Sequence, residues 1–255
     1  MENSEVFPVY KYLLSIQVPN QEIASTQPVS DESRAKTIEW MSNVCSNFDF
    51  ENEVLHLSVI IFDKYLCLCD ITDNHLQLLA SACIFISCKY ENVYTPKVSW
   101  FINAMDKTAT KKDLLEMESN ILEAIDFKLG CPTINVFLSI FGELLSLEKK
   151  NQYLASYYSE LSLLTTSSHK FSSLSLAASS IVLANIVLKE THPWPQHVGL
   201  VCNLDLVKLE ECIKYIHALA CAALEFTPTK GTRDKFGGWS FDSVSLLDQP
   251  DNLER

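Results

Sequence analysis

Glycine is scarce, with 6 in 255 residues where average usage of roughly 7% would give about 18. Folds built on many tight turns use glycine freely, so the shortage disfavours all-β architectures and points to helices. Basic charge is also short: 20 Lys and Arg face 32 Asp and Glu, for a formal net charge of −12. Nucleic acid and anionic membrane surfaces reward clustered cations, so neither is an expected partner. Long apolar runs are missing too. The longest, Leu78 to Ile86, contains Ser81 and is about half the ~20 residues a bilayer span needs. The opening residues Met1-Glu-Asn-Ser-Glu-Val-Phe-Pro8 show no basic stretch leading into an apolar core, so no secretory signal is visible. Nine cysteines, an odd number, are scattered through apolar stretches and read as reduced thiols acting as small hydrophobes. The expected setting is the nucleus and cytoplasm.

Sites for chemistry are equally sparse. There is no Gly-x-Gly-x-x-Gly and no Gly-x-x-x-x-Gly-Lys-Ser/Thr to cradle a phosphate. Cys67 and Cys69 lie two apart, and on a helix such residues face different ways, which does not suit zinc. His192 and His197 flank Pro-Trp-Pro and read as a solvated loop feature. Acidic clusters such as Glu51 with Glu53, or Glu116 with Glu118, read as solvated helix faces, and the Ser/Thr-rich stretch Ser162 to Ser180 as a loop plus small packing residues. No nucleophile–base arrangement emerges. The sequence therefore names no catalytic residue, metal ligand or cofactor, and an enzyme is not expected.

What the chain does have is apolar material, 47% of residues, arranged at helical spacing. A short amphipathic stretch runs from Val6 to Ile16, followed by a polar linker around Pro19 to Pro28. Ser30 is placed to cap a helix reaching about Ser46, with Ile38, Met41 and Cys45 inward. Residues 51–67 follow, with Val54, Leu57, Ile61 and Tyr65 on one face. Residues 74–90 are apolar nearly all round, which marks a helix surrounded by others. Thr95-Pro96 reads as a cap and first turn, Thr110 with Asp113 resembles a capping box, and Gly130 with Pro132 ends the block.

The same order then recurs. Helical patterns cover about Thr133–Leu145, Glu148–Leu164, Phe171–Lys189, Trp194–Cys202 and Leu204–Ala223. Leu176-Ala-Ala-Ser-Ser-Ile-Val-Leu-Ala184 lies over Leu79-Ala-Ser-Ala-Cys-Ile-Phe-Ile-Ser87 at a shift of 97 positions, too long for a solenoid repeat. An all-α chain of two tandem five-helix domains is expected. Its divisions fall at 1–29 (N-terminal helix and linker), 30–130, 131–226 and 227–255 (tail).

Arg34-Ala-Lys-Thr-Ile-Glu-Trp40, Glu53-Val-Leu-His-Leu-Ser-Val59, Phe62-Asp-Lys-Tyr-Leu66 and Leu76-Gln-Leu through Ser87-Cys-Lys-Tyr-Glu91 resemble the cyclin box in order and spacing. Tyr94-Thr-Pro-Lys-Val98, the stretch Thr110 to Glu118, and Leu122-Glu-Ala-Ile-Asp-Phe-Lys-Leu129 continue it. The tail, Arg233-Asp-Lys-Phe236 with Val244-Ser-Leu-Leu247, is similar to the end of A-type (mitotic) cyclins. The resemblance spans about Val6 to Leu247. It implies two cyclin-box domains, no chemistry of the chain's own, and a cyclin-dependent protein kinase as heterodimer partner in control of cell division.

The resemblance also assigns residues. Lys89 and Glu118 match the Lys and Glu that bond to the kinase, and Ile86, Tyr90, Leu122 and Phe127 supply the apolar patch beside them. Val9 and Tyr12 on the leading helix add contact, although Glu5 stands where an aromatic is expected. Read without the family, Lys89 is a C-terminal lysine satisfying the last carbonyls of its helix. The repeat argues against that, since Ile186 holds the matching place. Glu118 gains no such support, because Glu210 is taken as its counterpart. Arg34 and Asp63 resemble the family's internal ion pair and read as structural.

Two departures stand out. The family's substrate-docking groove, which receives Arg-x-Leu peptides, maps to Ser33, Thr37, Trp40 and Gln77. Here Ser33, Thr37 and Asn43 replace its Met, Leu and Glu, so a more polar groove with weaker or altered docking is expected. Mitotic cyclins also carry a long leading region with an Arg-x-x-Leu destruction signal, and no Arg precedes Arg34 here. Two other uses of such a fold compete: a transcription factor IIB-like DNA-binding protein, disfavoured by the charge balance, and a scaffold without kinase activation.

Overall fold

The computed structural model describes residues 6–17, 29–92 and 96–250, and among these it contains twelve α-helices and no strand. A leading helix α1 (Val6–Ile16) precedes five helices: α2 (Asp31–Asn47), α3 (Asn52–Leu68), α4 (Leu76–Glu91), α5 (Val98–Ala104) and α6 (Lys111–Ala124). Five more follow, α7 (Ile134–Leu144), α8 (Lys149–Leu163), α9 (Ser173–Val187), α10 (Gln196–Cys202) and α11 (Leu206–Ala222), and then a tail helix α12 (Lys230–Phe236). The all-α, two-by-five plan is as expected. The polar linker from Pro19, the Thr95 cap and Glu5 lie outside the described residues.

Local sequence sets the helix starts. The Ser30 hydroxyl accepts from the Ser33 amide, and Thr133, Ser172 and Asp205 cap α7, α9 and α11 in the same way. Thr110 and Asp113 close a full capping box, so aspartate does the job of the usual Glu at that third position.

By compactness the described chain falls into two units. One holds α2–α6 with Leu163–His169; the other holds α1, α7 and most of α8, and α9 onward. Each is organised round one central helix. In the first, α4 packs against α2, α3, α5 and α6, and every residue from Leu79 to Cys88 is buried. In the second, α9 packs against α7 and α11, with every residue from Ser173 to Asn185 buried except Ser175. Small residues (Ala80, Ser81, Ala82; Ala177, Ala178, Ser179, Ser180) let neighbouring helices approach such an axis from several sides.

The helix ends explain how the chain manages with so little glycine. Among the described residues ten that are not glycine have positive φ, and no glycine does. Asp49, Asp106, Asp126, Ser146, Lys189 and Asn203 each stand just past a helix, where a left-handed residue lets the next amide reach back to the helix's unpaired carbonyls. Asp and Asn tolerate this backbone better than other residues with side chains, because the short polar group can bond locally.

Candidate functional site

Lys89 ends the buried helix α4, and Glu118 lies on α6, which packs beside it. Their side chains form an ion pair, and the Lys89 ammonium also sits 4.4 Å from the centre of the Phe85 ring. The lysine thus finds a carboxylate and a π-face rather than capping its own helix's carbonyls. Glu118 is largely buried, at 11% side-chain exposure, while Lys89 is 37% exposed. Burial draws the Lys89 ammonium below the usual lysine range. The pair therefore lies at the rim of the core, with the cation facing out.

The same two helices and the turn after α6 also leave apolar groups at the surface. Tyr90 is 53% exposed and Phe127 66%. Leu122 is half-buried, and Leu115, three residues before Glu118 on α6, is exposed. Ile86 corrects the sequence reading: at 2% exposure it belongs to the core, because α4 is enclosed from Leu79 to Cys88, and it backs the face without forming its surface. Leu115 was missed, although the spacing of 115, 118 and 122 along one helix stripe would have found it.

The end of α6 shows why these side chains gather. The Phe127 amide donates to the Leu122 carbonyl (2.9 Å) and the Asp126 amide to Glu123 (3.1 Å). This is the Schellman pattern, which characteristically brings the residues in the Leu122 and Phe127 places together. It requires Asp126 at φ 54°, and Phe127 follows at φ 55°, an unusual conformation for a bulky residue. A Cβ at Gly130 would come within 3.3 Å of the Tyr90 hydroxyl, so Tyr90 lies beside the same turn.

Arg34 and Asp63 form the buried pair read from sequence. The guanidinium donates through Nε and Nη2 to both carboxylate oxygens at 2.8 and 2.7 Å, and through Nη1 to the Leu163 carbonyl at 3.0 Å. His169 Nε2 adds a contact to Asp63 at 3.1 Å that the sequence did not reveal. Burial by itself would raise the Asp63 carboxyl, but Arg34 and His169 outweigh it and hold the group below the usual carboxylate range.

Ser33, Thr37, Trp40 and Gln77 come together with Lys36, Asp73 and Leu76 around an open cleft of about 300 Å³. Its polarity is evident in the Ser33 hydroxyl, which donates to Asp73 at 2.9 Å. Trp40 also walls a second cleft of about 360 Å³ with Asn43, Asn47, Phe48 and Asn103. On α1, Tyr10 is the anchor: it is 3% exposed, packs on Phe137 and Phe141, and donates to the Cys202 carbonyl at 3.0 Å. Val9 and Tyr12 are left 51% and 62% exposed. Among the described residues no cluster of metal-ligating side chains occurs, and no helix is long and apolar enough to cross a membrane.

The fold and this face define an all-helical protein of two repeated five-helix domains, the first of which carries the Lys89–Glu118 pair beside exposed apolar side chains. The chain belongs to the cyclin family: the cyclin N-terminal domain model matches residues 5–130 and the C-terminal domain model residues 132–250. Among curated relatives, a putative cyclin-A3-1 from Arabidopsis thaliana is 30% identical over 91% of this chain and 69% of its own length. Cyclin-A1 from Mus musculus is 30% identical over 95% of this chain and 58% of its own. The chain thus spans little more than half the length of some relatives. Among solved structures, a viral cyclin from herpesvirus saimiri superposes with a TM-score of 0.70 at 21% identity, covering 96% of this chain and all of that one. A yeast RNA polymerase II CTD kinase complex gives 0.66 at 13% identity, covering 93% of this chain and 94% of that one, a likeness of fold.

Proposed function

We propose that the chain is the regulatory subunit of a cyclin-dependent protein kinase, gripped through the Lys89–Glu118 face, with Val9 and Tyr12 adding contact. The observation that carries this is the ion pair itself, closed between two helices that also expose Tyr90, Leu115 and, at the turn after α6, Phe127. Aromatic area beside a half-exposed charge pair is the composition of a protein interface: the apolar groups give adhesion, and the charges fix register on polar groups of the partner. The A-type cyclin relatives support the reading.

The mechanism is allosteric. A protein kinase needs its Lys–Glu ion pair and its magnesium-binding loop in place before phosphoryl transfer is fast. A rigid helical face that binds the mobile helix bearing that Glu favours the assembled state, by as much as its affinity for the two states differs. The rigidity comes from α4, buried at every residue from Leu79 to Cys88, which holds Lys89 directly after that run.

The test is Lys89→Ala with Glu118→Ala in the full chain, measured by calorimetry against a purified cyclin-dependent kinase. Affinity is expected to fall by about 30- to several-thousand-fold, or roughly 2–5 kcal/mol. Unchanged affinity in a folded double variant would reject the face. The cleft at Trp40 is proposed to dock substrates weakly, since Ser33 and Thr37 offer hydroxyls where a leucine side chain wants apolar surface. Tight calorimetric binding of an Arg-x-Leu peptide there would overturn that.

A further inference from the structure

Lys64 follows Asp63 on α3, yet its ammonium serves a different structure. Half-buried, it donates to the backbone carbonyl of Lys128 at 3.4 Å and to the Cys131 sulfur at 3.0 Å. The Cys131 thiol in turn donates to the Leu129 carbonyl at 3.4 Å. One cation on a core helix therefore holds two points of the short segment that follows α6. That segment carries Phe127, whose left-handed backbone comes directly after a left-handed Asp126. Two such residues in succession persist only where surrounding structure holds them. Beyond the Schellman bonds, the segment's own backbone bonds are short-range, Lys128 amide to Ile125 carbonyl, Leu129 amide to Phe127 carbonyl and Cys131 amide to Leu129 carbonyl, so they tie it to the end of α6 but not to α3, which Lys64 reaches.

We propose that Lys64 is a positioning residue for the kinase-binding face, clamping the 126–131 turn so that Phe127 is presented ready-made. The inference rests on the reading of that face as the kinase surface. Its physical basis is preorganisation: a side chain already fixed in its bound place loses less entropy when the partner arrives.

The experiment measures affinity of the full chain for a purified cyclin-dependent kinase, comparing Lys64→Met and Lys64→Arg in the unsubstituted and Phe127→Ala backgrounds. Lys64→Met is expected to weaken binding about 5- to 20-fold, with Lys64→Arg recovering most of the loss. In the Phe127→Ala background Lys64→Met is expected to add nothing, because coupled residues are non-additive. A merely structural lysine would lower affinity by the same factor in both backgrounds, which would overturn the proposal. Lys64→Gln serves in place of Lys64→Met if the latter does not fold. If the Lys64 variants bind normally while Lys89→Ala with Glu118→Ala does not, the clamp is wrong and the face stands. If neither set weakens binding, the face fails and the clamp with it.

Discussion

The two five-helix domains differ where function should differ and agree where packing dictates. Their central helices start in the same register, α4 at Leu76 and α9 at Ser173, 97 positions apart. That register sets Lys89 against Ile186, which is half-buried. The N-caps of α6 and α11, Thr110 and Asp205, are 95 apart, because the second domain reaches its last helix two residues sooner. Glu118 therefore corresponds to Ile213, at 7% exposure, and not to Glu210, which pairs on the surface with Lys214. This corrects the sequence alignment of the repeat, since caps fix helix register better than matching acids do. The scaffold is thus stable with isoleucine at both places. The packing of the repeated plan therefore does not by itself call for the cation and the acid that the first domain carries there.

Each domain also has a buried ion pair of a basic side chain with a carboxylate, and breaking them is the largest test of how alike the two are. Arg34–Asp63 is bidentate, with extra bonds to Leu163 and His169. Lys235–Glu160, at 2.6 Å, joins α12 to α8, its ammonium 5.0 Å from the centre of the Phe236 ring. A fork of fixed donors makes more bonds than a point charge. Arg34→Met is accordingly expected to destabilise by about 3–5 kcal/mol, and Lys235→Met by about 3 kcal/mol, in chemical denaturation. The acid response sharpens the contrast. Because Asp63 is held below its unfolded value of about 3.9, it contributes stability above that pH and loses it as pH falls through the folded value. Comparing denaturation at about pH 6 and about pH 3 should show that loss in the unsubstituted chain and not in Arg34→Met, whose Asp63 has lost its main partner. An acid response unaltered by Arg34→Met would assign it to other carboxylates.

Much of this was legible beforehand, and the reasons are specific. Ser30 and Thr110 were readable as caps because capping is local, set by a side chain and an amide three residues on. The enclosure of α4 was readable because no polar stripe interrupts it. Ile86 was misjudged for the same reason: a helix apolar on every side gives no signal of which residues reach the surface, and only the helices around it decide that. His169 bonding Asp63 across more than a hundred residues, and Lys64 reaching the turn after α6, depend on tertiary placement that no spacing encodes. Glu118 looked like one surface acid among many, and its burial depends on α4 lying against it.

The smallest effect concerns helix ends, where the domains again invite comparison. Lys189 follows α9 at φ 59°, and Asp126 follows α6 at φ 54°. Both make the same reverse bonds, Glu190 amide to Asn185 carbonyl and Phe127 amide to Leu122 carbonyl, each at 2.9 Å. Aspartate has a short carboxylate that eases left-handed backbone, whereas lysine has only an aliphatic stem and bears the steric penalty in full. Lys189→Gly should therefore stabilise the protein by about 1 kcal/mol, raising the melting temperature by about 2–4 °C, without altering kinase affinity. Asp126→Gly should gain less in stability and lose affinity, because the freedom it restores lies next to Phe127. Equal gains at both sites with no change in binding would mean that the first domain's turn is only a helix end.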